Sequence, residues 1–354
     1  MGRAFTACSC VVVVACGGGG SGGGGAAPLL GATMPIAGAP AVADTSVAPA
    51  PAVDALPSTR VTAVPKANYG ASEGMQAFEL INAERERCGF GLVAQSAQLD
   101  SAAQAHADWQ ILNSDLSHAE VPGTPGFTGV DLLDRASAAG YVAGGVGEEI
   151  SSLYYSGSVA GTGVFGVRAL LALPYHQLGM LAGYRDIGIA LRGSDQLGTT
   201  PSKGPRTVQQ FNLGYTSSSG PQEPASDEVL TYPCEGTRGV FYEITNETPN
   251  PVPGRDLRTR PLGPGMVVAV RSGQVLVISS ARMTTLSNRA PVSLRAPLTK
   301  DTDPHAVLAS HQAVLIPDAS LLANTTYEVS IAGTNDGAAF KRSFTFATGS
   351  GAAR

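Results

Sequence analysis

The sequence has little charge and no excess of basic residues. Asp, Glu, Lys and Arg make up only 14% of its 354 residues, and the formal net charge is −5. A nucleic-acid-binding protein needs a basic face, so this balance argues against a nucleic-acid partner. Hydrophobic residues make up 43%, and the length is sufficient for two ordinary domains and a tail.

The chain also lacks the local motifs of several enzyme classes. No phosphate loop or dinucleotide fingerprint occurs between a strand candidate and a helix candidate. No Gly-x-Ser-x-Gly elbow follows a strand candidate, and no His-Glu-x-x-His pair is present. Ser117 adjoins His118, but neighbours in sequence rarely have the geometry of a catalytic triad. We therefore assign no catalytic residue.

No apolar run is long enough to span a bilayer, which requires about 20 residues. The run at residues 11–15 follows Arg3 and precedes Cys16, which is typical of an export signal. Residues 13–16 (Val-Val-Ala-Cys) resemble a bacterial lipobox, which implies cleavage before Cys16 and acylation of that cysteine. We expect an outer-membrane or cell-surface lipoprotein. The alternative is a signal peptide cut elsewhere, with a secreted or periplasmic product.

Cysteine is scarce beyond the signal. Cys8 and Cys10 would leave with it, so that Cys88 and Cys234 are the two cysteines left unmodified. An oxidising compartment favours a disulfide between them, and their spacing fits no zinc pattern. We expect a Cys88–Cys234 bridge that ties two domains together. Two separate thiols are the alternative.

Composition and periodicity divide the rest of the chain. Residues 17–70 are rich in Gly, Ser, Ala and Pro without a helical or strand period, which predicts a disordered tether. Residues 72–217 show helical patterns first and strand patterns last, which indicates an α+β domain. Residues 218–230 form a linker. Residues 231–350 show short strands separated by turn signals, which indicates a small all-β sandwich.

Finer patterns predict individual elements. Ser72 is expected to cap a first helix that Gly89 ends, and Pro174 is expected to stop a fourth helix. Residues 271–274 (Arg-Ser-Gly-Gln) lie between two apolar strands and predict a hairpin. Asn335-Asp336-Gly337 predicts a second turn.

Several short motifs of the first domain occur in a characteristic order along the chain. They are Leu80-Ile81-Asn82-Ala83-Glu84-Arg85, an alanine-rich second helix, Ser117-His118, Gly147-Glu148-Glu149-Ile150, Pro174-Tyr175-His176 and Arg185-Asp186-Ile187-Gly188-Ile189. In this order they resemble the CAP superfamily, which includes cysteine-rich secretory proteins, antigen 5 and plant pathogenesis-related 1 proteins. The resemblance implies a CAP-type α-β-α sandwich. The C-terminal segment resembles the Ig-like modules of secreted bacterial proteins.

The resemblance also implies a cleft lined by His118, Glu148 and His176. Glu149 stands where the family's Gly-Glu-Asn-Ile motif has asparagine, and Tyr175 and Gln177 replace the residues that flank the second histidine. No acid precedes His176 in the helix where some members have one. Glu149 is therefore the candidate for a fourth cleft residue.

The predicted cleft has more than one chemical interpretation. His118, Glu148 and His176 could hold a divalent metal such as zinc with one position left for water, as in a metal-dependent hydrolase. The alternative is a metal-independent polar network in a binding protein for a small lipophilic, cell-wall or protein ligand. A structural envelope protein is a third possibility. His106 is expected to be a packed core histidine and Glu120 a solvated loop acid.

Overall fold

The computed structural model describes residues 55–353, so the predicted signal, the lipidation site Cys16 and the tether up to residue 54 lie outside the described residues. Within that range the chain forms five helices and three mostly antiparallel sheets. The protein is thus of mixed α+β class, with more strand than helix. None of the helices in this range is long and apolar enough to cross a membrane.

The N-terminal part of the described chain, residues 55–217, consists of five helices and a four-stranded sheet. In chain order the elements are α1 (Glu73–Cys88), β1 (Ala94–Gln95), α2 (Ala97–Leu112), α3 (Leu132–Ala138), β2 (Ala143–Leu153), α4 (Gly163–Leu170), α5 (Pro174–Leu181), β3 (Asp186–Gly193) and β4 (Thr207–Thr216). The strand order is β1-β3-β4-β2. Only the β1–β3 pair is parallel.

Local sequence explains where α1 begins and ends. The Ser72 side chain accepts a hydrogen bond from the Met75 backbone N–H at 3.3 Å, which satisfies a donor that the first helical turn leaves without a partner. Gly89 follows the helix with φ of 79°, a left-handed conformation that glycine adopts without strain. Both predicted boundaries are confirmed.

Helix α5 and strand β2, which bear on the predicted cleft, were not predicted from the sequence. Pro174 does not merely stop the preceding helix; it is the first residue of α5, where its missing N–H leaves no intrahelical bond unmade. Strand β2 is rich in glycine at its start and buried from Gly147 to Leu153, so its sequence shows no apolar–polar alternation. These two elements carry three of the four predicted cleft residues.

The sheet of the N-terminal part is covered by helices on both faces. On one face α2 packs against Ile150, Ala190 and Val208. On the other face α1, α4 and α5 pack against Ile187 and Phe211. Side chains alternate between the two faces along each strand, so neighbouring residues of a strand contact opposite helix layers.

The C-terminal part, residues 218–353, consists of two packed sheets. Its strands are β5 (Leu230–Tyr232), β6 (Thr237–Val240), β7 (Met266–Ala269), β8 (Leu276–Thr285), β9 (Pro291–Val292), β10 (Leu298–Thr299), β11 (Gln312–Leu315), β12 (Thr326–Asn335) and β13 (Ala338–Thr348). The first sheet has the order β10-β11-β7-β5, and the second has the order β6-β13-β12-β8-β9. Residues from both sheets, among them Val268, Val329 and Phe344, enclose one apolar core.

The hairpin predicted across residues 271–274 is wrong. Strand β7 pairs with β5 and β11, whereas β8 pairs with β12 and β9. The turn therefore carries the chain from one sheet to the other, and Val270 and Leu276 meet in the core between the sheets. The turn at Asp336-Gly337 does join paired strands, and both residues have positive φ, 47° and 82°, as a two-residue hairpin turn requires.

The two parts share one hydrophobic core. The first sheet of the C-terminal part packs against the α1–α4–α5 layer, so Val267 of β7 belongs to the same cluster as Phe78 of α1 and Leu173 beside α5. Five layers result: α2 with α3, the N-terminal sheet, the α1–α4–α5 layer, and the two C-terminal sheets. The segment Leu170–Leu173 is at most 1% exposed because it lies in the middle layer.

The segments assigned to tether and linker lie side by side in the part that the structure describes. Residues 55–70 contain no helix or strand, but the Thr59 N–H donates to the Glu223 carbonyl at 2.9 Å. Arg60 forms an ion pair with Glu228 at 2.7 Å. The ordered fold therefore begins upstream of Ser72.

The predicted Cys88–Cys234 disulfide is confirmed. The two sulfur atoms are 2.05 Å apart, and the bond joins residues 146 positions apart. It connects the last residue of α1 to the turn between β5 and β6. The cross-link thus closes across the interface between the N-terminal and C-terminal parts.

Candidate functional site

Glu148 and Glu149 point to opposite faces of the N-terminal sheet. In the β2–β4 ladder Glu148 pairs with Asn212 and Glu149 pairs with Phe211. With its amide oriented to satisfy both neighbours, Asn212 donates to Glu148 Oε2 at 3.2 Å and accepts from the Ala103 N–H of α2 at 3.0 Å. Phe211 instead belongs to the core with α5. Glu148 therefore faces α2, and Glu149 faces α5.

Glu148 is held by charged partners on the α2 face. His118 Nδ1 lies 2.8 Å from Glu148 Oε1, and Arg135 Nη2 donates to Glu148 Oε2 at 2.8 Å. Arg135 also donates to the His118 carbonyl at 3.1 Å, which fixes the loop that carries this histidine. The His118 side chain is 22% exposed, whereas the Glu148 side chain is 1% exposed. The sequence-based pairing of His118 with Glu148 is thus present.

A second histidine–glutamate pair extends this network. His106 Nδ1 lies 2.9 Å from Glu120 Oε1, and His106 Nε2 lies 3.7 Å from Glu148 Oε1. Glu120 also accepts hydrogen bonds from the backbone N–H groups of Thr128 and Gly129. We name His106, His118, Glu120, Arg135 and Glu148 the His118 network.

The structure confirms the prediction for His106 and corrects the prediction for Glu120. His106 is fully buried, as predicted for a core histidine. Glu120 is 2% exposed, so its assignment as a solvated loop acid is wrong. A histidine on the buried face of a helix needs a nearby acceptor, and that requirement could have identified Glu120 from the sequence.

The two carboxylates of the network are stabilised in the ionised form. Burial alone would raise the pKa of Glu148, but the hydrogen bond from His118 and the positive charges of His106 and Arg135 outweigh burial and lower it. The pKa of Glu120 is also lowered, because hydrogen bonds from His106 and Thr128 outweigh its burial. Both carboxylates of the network are therefore held as anions at neutral pH.

The other two predicted cleft residues lie on the opposite face of the sheet. His176 is in the first turn of α5, fully buried, with Nδ1 3.6 Å from Glu247 Oε1. Glu149 Oε1 lies so close to Gly179 of α5 that a Cβ there would collide with it. The sheet thus separates His118 from His176, and the prediction of one shared cleft is wrong. The alternation along β2, which the sequence pattern did not reveal, is the physical reason.

The predicted metal ligands do not fit a divalent ion. His118 and His176 cannot converge on Glu148 from opposite faces of a sheet. On the α2 face, the Arg135 guanidinium donates to Glu148 Oε2, and its positive charge would repel a metal ion there. Among residues 55–353 no group of three or more His, Cys, Asp or Glu side chains has a geometry suited to a metal ion.

Apolar side chains are exposed along the chain segment that also carries His118. The chain from the end of α2 to the start of α3 is fixed by a 2.9 Å hydrogen bond from the Glu120 N–H to the Val130 carbonyl. It carries five large apolar side chains that are 37% to 53% exposed: Leu112, Val121, Phe127, Val130 and Leu133. We name these residues the 112–133 apolar surface. Concentrated apolar exposure of this kind is typical of a binding surface.

Comparison of the sequence with protein-family models and with curated proteins found no match for this chain.

Proposed function

We propose that the protein is an exported, lipid-anchored binding protein with a CAP-type α-β-α domain over residues 72–217 and an Ig-like sandwich over residues 231–350. The ordered motifs and the sheet with helices on both faces support the first assignment. The two packed sheets support the second. The lipobox-like residues 13–16 support export and an acyl anchor on Cys16 at the outer membrane or cell surface.

The proposed ligand is a small lipophilic molecule with a polar or acidic head group. The observation that carries this proposal is that one segment carries both the 112–133 apolar surface and the partly exposed His118 side chain. An apolar body would cover exposed Leu133 and Phe127, and a head group would contact the imidazole. Burial of apolar area contributes roughly 25 cal/mol per Å² to such binding.

The His118 network suits recognition better than hydrolysis. Its carboxylates are paired with Arg135 and the histidines, so neither is raised in pKa as a general acid at neutral pH would need to be. Its charges and hydrogen bonds hold His118 in one orientation, which is what a preformed binding site requires. A cell-wall glycan or a protein partner would gain less from the small apolar surface than a lipid-like molecule would.

A fluorescent fatty acid tests this proposal. We expect 11-(dansylamino)undecanoic acid to bind the full chain saturably, and Leu133→Ser to raise its dissociation constant at least fivefold. Val277 of β8 is 50% exposed, similar to Leu133 at 51%, so Val277→Ser is the matched control and should leave binding unchanged. Equal effects of the two substitutions, or no saturable binding to the unsubstituted chain, would contradict the proposal.

A further inference from the structure

A cavity of about 340 Å³ lies at the junction of the N-terminal and C-terminal parts. Strand β2 and helix α5 form one side, and the loop around residues 305–307 with β11 forms the other. The lining side chains that matter for its chemistry are Glu149, Tyr175, Leu178, Tyr184, His305 and Val307. We name this space the junction cavity. It lies on the face of the sheet opposite the His118 network.

The Glu149 carboxyl group lines this cavity without a partner for one of its oxygens. Glu149 is 3% exposed, and its Oε2 is buried with no hydrogen-bond partner among the described residues. Gly179 provides the room for the other oxygen, because any side chain there would occupy its position. A buried acceptor without a donor costs about 1 to 3 kcal/mol, so an arrangement of this kind is expected where a ligand supplies the donor.

The surroundings of Glu149 favour a positive ligand. Burial raises the pKa of Glu149 well above its ordinary value, and the nearby charges of Glu148 and Glu247 raise it further. Among the described residues that line the cavity there is no Lys or Arg. Tyr175 and Tyr184 instead present aromatic rings, whose faces attract cations.

The cavity wall is preformed by contacts between the two parts. The Tyr175 hydroxyl donates to Asp303 Oδ1 at 2.5 Å, and the Tyr175 ring meets the His305 ring edge-on with centroids 5.7 Å apart. Asp303 Oδ2 accepts from the Val307 N–H at 2.6 Å, which fixes the loop that closes the cavity. A ligand would therefore meet a rigid site, with little ordering cost on binding.

We propose that the junction cavity binds a small molecule that carries a protonated amine, with the ammonium group on Glu149 and its apolar part against Tyr184 and Leu178. The ammonium group supplies both the hydrogen-bond donor and the positive charge that the protein does not provide there. The ammonium group would lower the pKa of Glu149, so at a pH between its values in the free and bound protein the carboxyl group releases its proton to solvent. The charged groups that act on Glu149 are Glu148 and Glu247. Glu247 in turn interacts with His305 and Asp303, and His176 Nδ1 lies 3.6 Å from its Oε1.

The test compares three probes of nearly the same shape: benzylamine, benzyl alcohol and benzoate. Each is titrated against the full chain by ligand-observed NMR at neutral pH, with and without Glu149→Gln. We expect benzylamine to bind at least tenfold more tightly than benzoate to the unsubstituted chain, and Glu149→Gln to weaken benzylamine at least tenfold. Benzyl alcohol should be nearly insensitive to the substitution, because it carries no charge to be neutralised.

Two further measurements test the proposal even if Glu149→Gln disturbs the fold. Calorimetry in two buffers of different ionisation enthalpy should show that benzylamine binding to the unsubstituted chain releases a proton. Val307→Phe, which fills the cavity and leaves Glu149 in place, should abolish benzylamine binding, whereas Leu133→Ser on the other face should leave it unchanged. Benzoate binding as tight as benzylamine, benzylamine binding unaffected by Glu149→Gln or Val307→Phe, or binding without proton release would overturn the proposal.

Discussion

At the residue scale, Glu148 and Glu149 are adjacent along β2 but experience opposite electrostatic environments. Glu148 is surrounded by His118, His106 and Arg135, which lower its pKa. Glu149 is buried beside Glu247 and Gly179 without a cation, and its pKa is raised. His118 and Glu148, two of the residues that the resemblance implies for one cleft, are in contact. Which way each glutamate faces could not be predicted, because it depends on a strand that lacks an apolar alternation.

Replacing Glu148 should destabilise the protein at neutral pH and matter less in acid. Glu148→Gln removes the carboxylate that accepts from Arg135 Nη2 and leaves this buried guanidinium only the more distant Glu120, at a cost of about 3 kcal/mol in the free energy of unfolding. Because the pKa of Glu148 is lowered by folding, its contribution is present above about pH 4.3 and is lost as pH falls through the folded-state pKa. Urea unfolding of both chains at pH 7 and below pH 4 measures the difference, and an equal loss at both values would contradict this account.

Replacing Glu149 should have the opposite pH dependence. Folding raises the pKa of Glu149, so the unsubstituted chain loses stability as pH rises above about 4.3 toward the folded-state pKa. Glutamine does not titrate, so Glu149→Gln should become progressively more stable than the unsubstituted chain between pH 4 and pH 8. Thermal unfolding across this range is the measurement. A stability difference that is independent of pH would show that Glu149 is ionised in the folded protein.

At the element scale, helix α5 depends on a residue from the C-terminal part. Leu173 precedes the helix and offers no side-chain cap, but Glu247 Oε1 accepts from the Tyr175 N–H at 2.7 Å. This contact explains why α5 escaped prediction: its cap is 72 residues away in sequence. Helix α1, by contrast, carries its own signals in Ser72 and Gly89, and its boundaries could be predicted locally.

Removing this cap should loosen α5. Glu247→Ala is expected to lower the free energy of unfolding by about 1 to 2 kcal/mol, the usual cost of a lost N-cap acceptor. Glu247→Gln keeps an oxygen that can accept from the Tyr175 N–H and should lose less, which makes it the matched control. Amide hydrogen exchange in α5 measures the effect directly. Unchanged exchange rates in Glu247→Ala would show that the contact does not cap the helix.

At the scale of the whole molecule, the five layers make the two parts interdependent. The middle layer of α1, α4 and α5 is apolar on both sides, because one side packs on the N-terminal sheet and the other on β7 and its neighbours. Composition along the chain suggested two units joined by a linker. Sequence patterns could not predict the shared core, because apolar residues that face a second sheet look the same as those that face the first.

Removal of the C-terminal part should therefore prevent folding of the rest. A chain ending at residue 230 would lose Leu262 and Val267, which share a core with Leu171 and Leu173. Leu171 and Leu173 would then be exposed to water, and we expect no cooperative unfolding transition. The control is the full chain with Cys88→Ser and Cys234→Ser. It loses only the cross-link, with a chain-entropy cost of about 5 kcal/mol, and should still unfold in one transition. A truncated chain that unfolds cooperatively would contradict the shared core.

NMR of the histidine rings during ligand addition distinguishes two separate sites from one shared cleft. We expect 11-(dansylamino)undecanoic acid to shift the ring resonances of His118, which lies in the same segment as the 112–133 apolar surface, and to leave those of His176 unchanged. The reason is that the N-terminal sheet separates the two imidazoles. Resonances of both histidines that shift together, with one binding curve, would show that they share a site and would contradict the account.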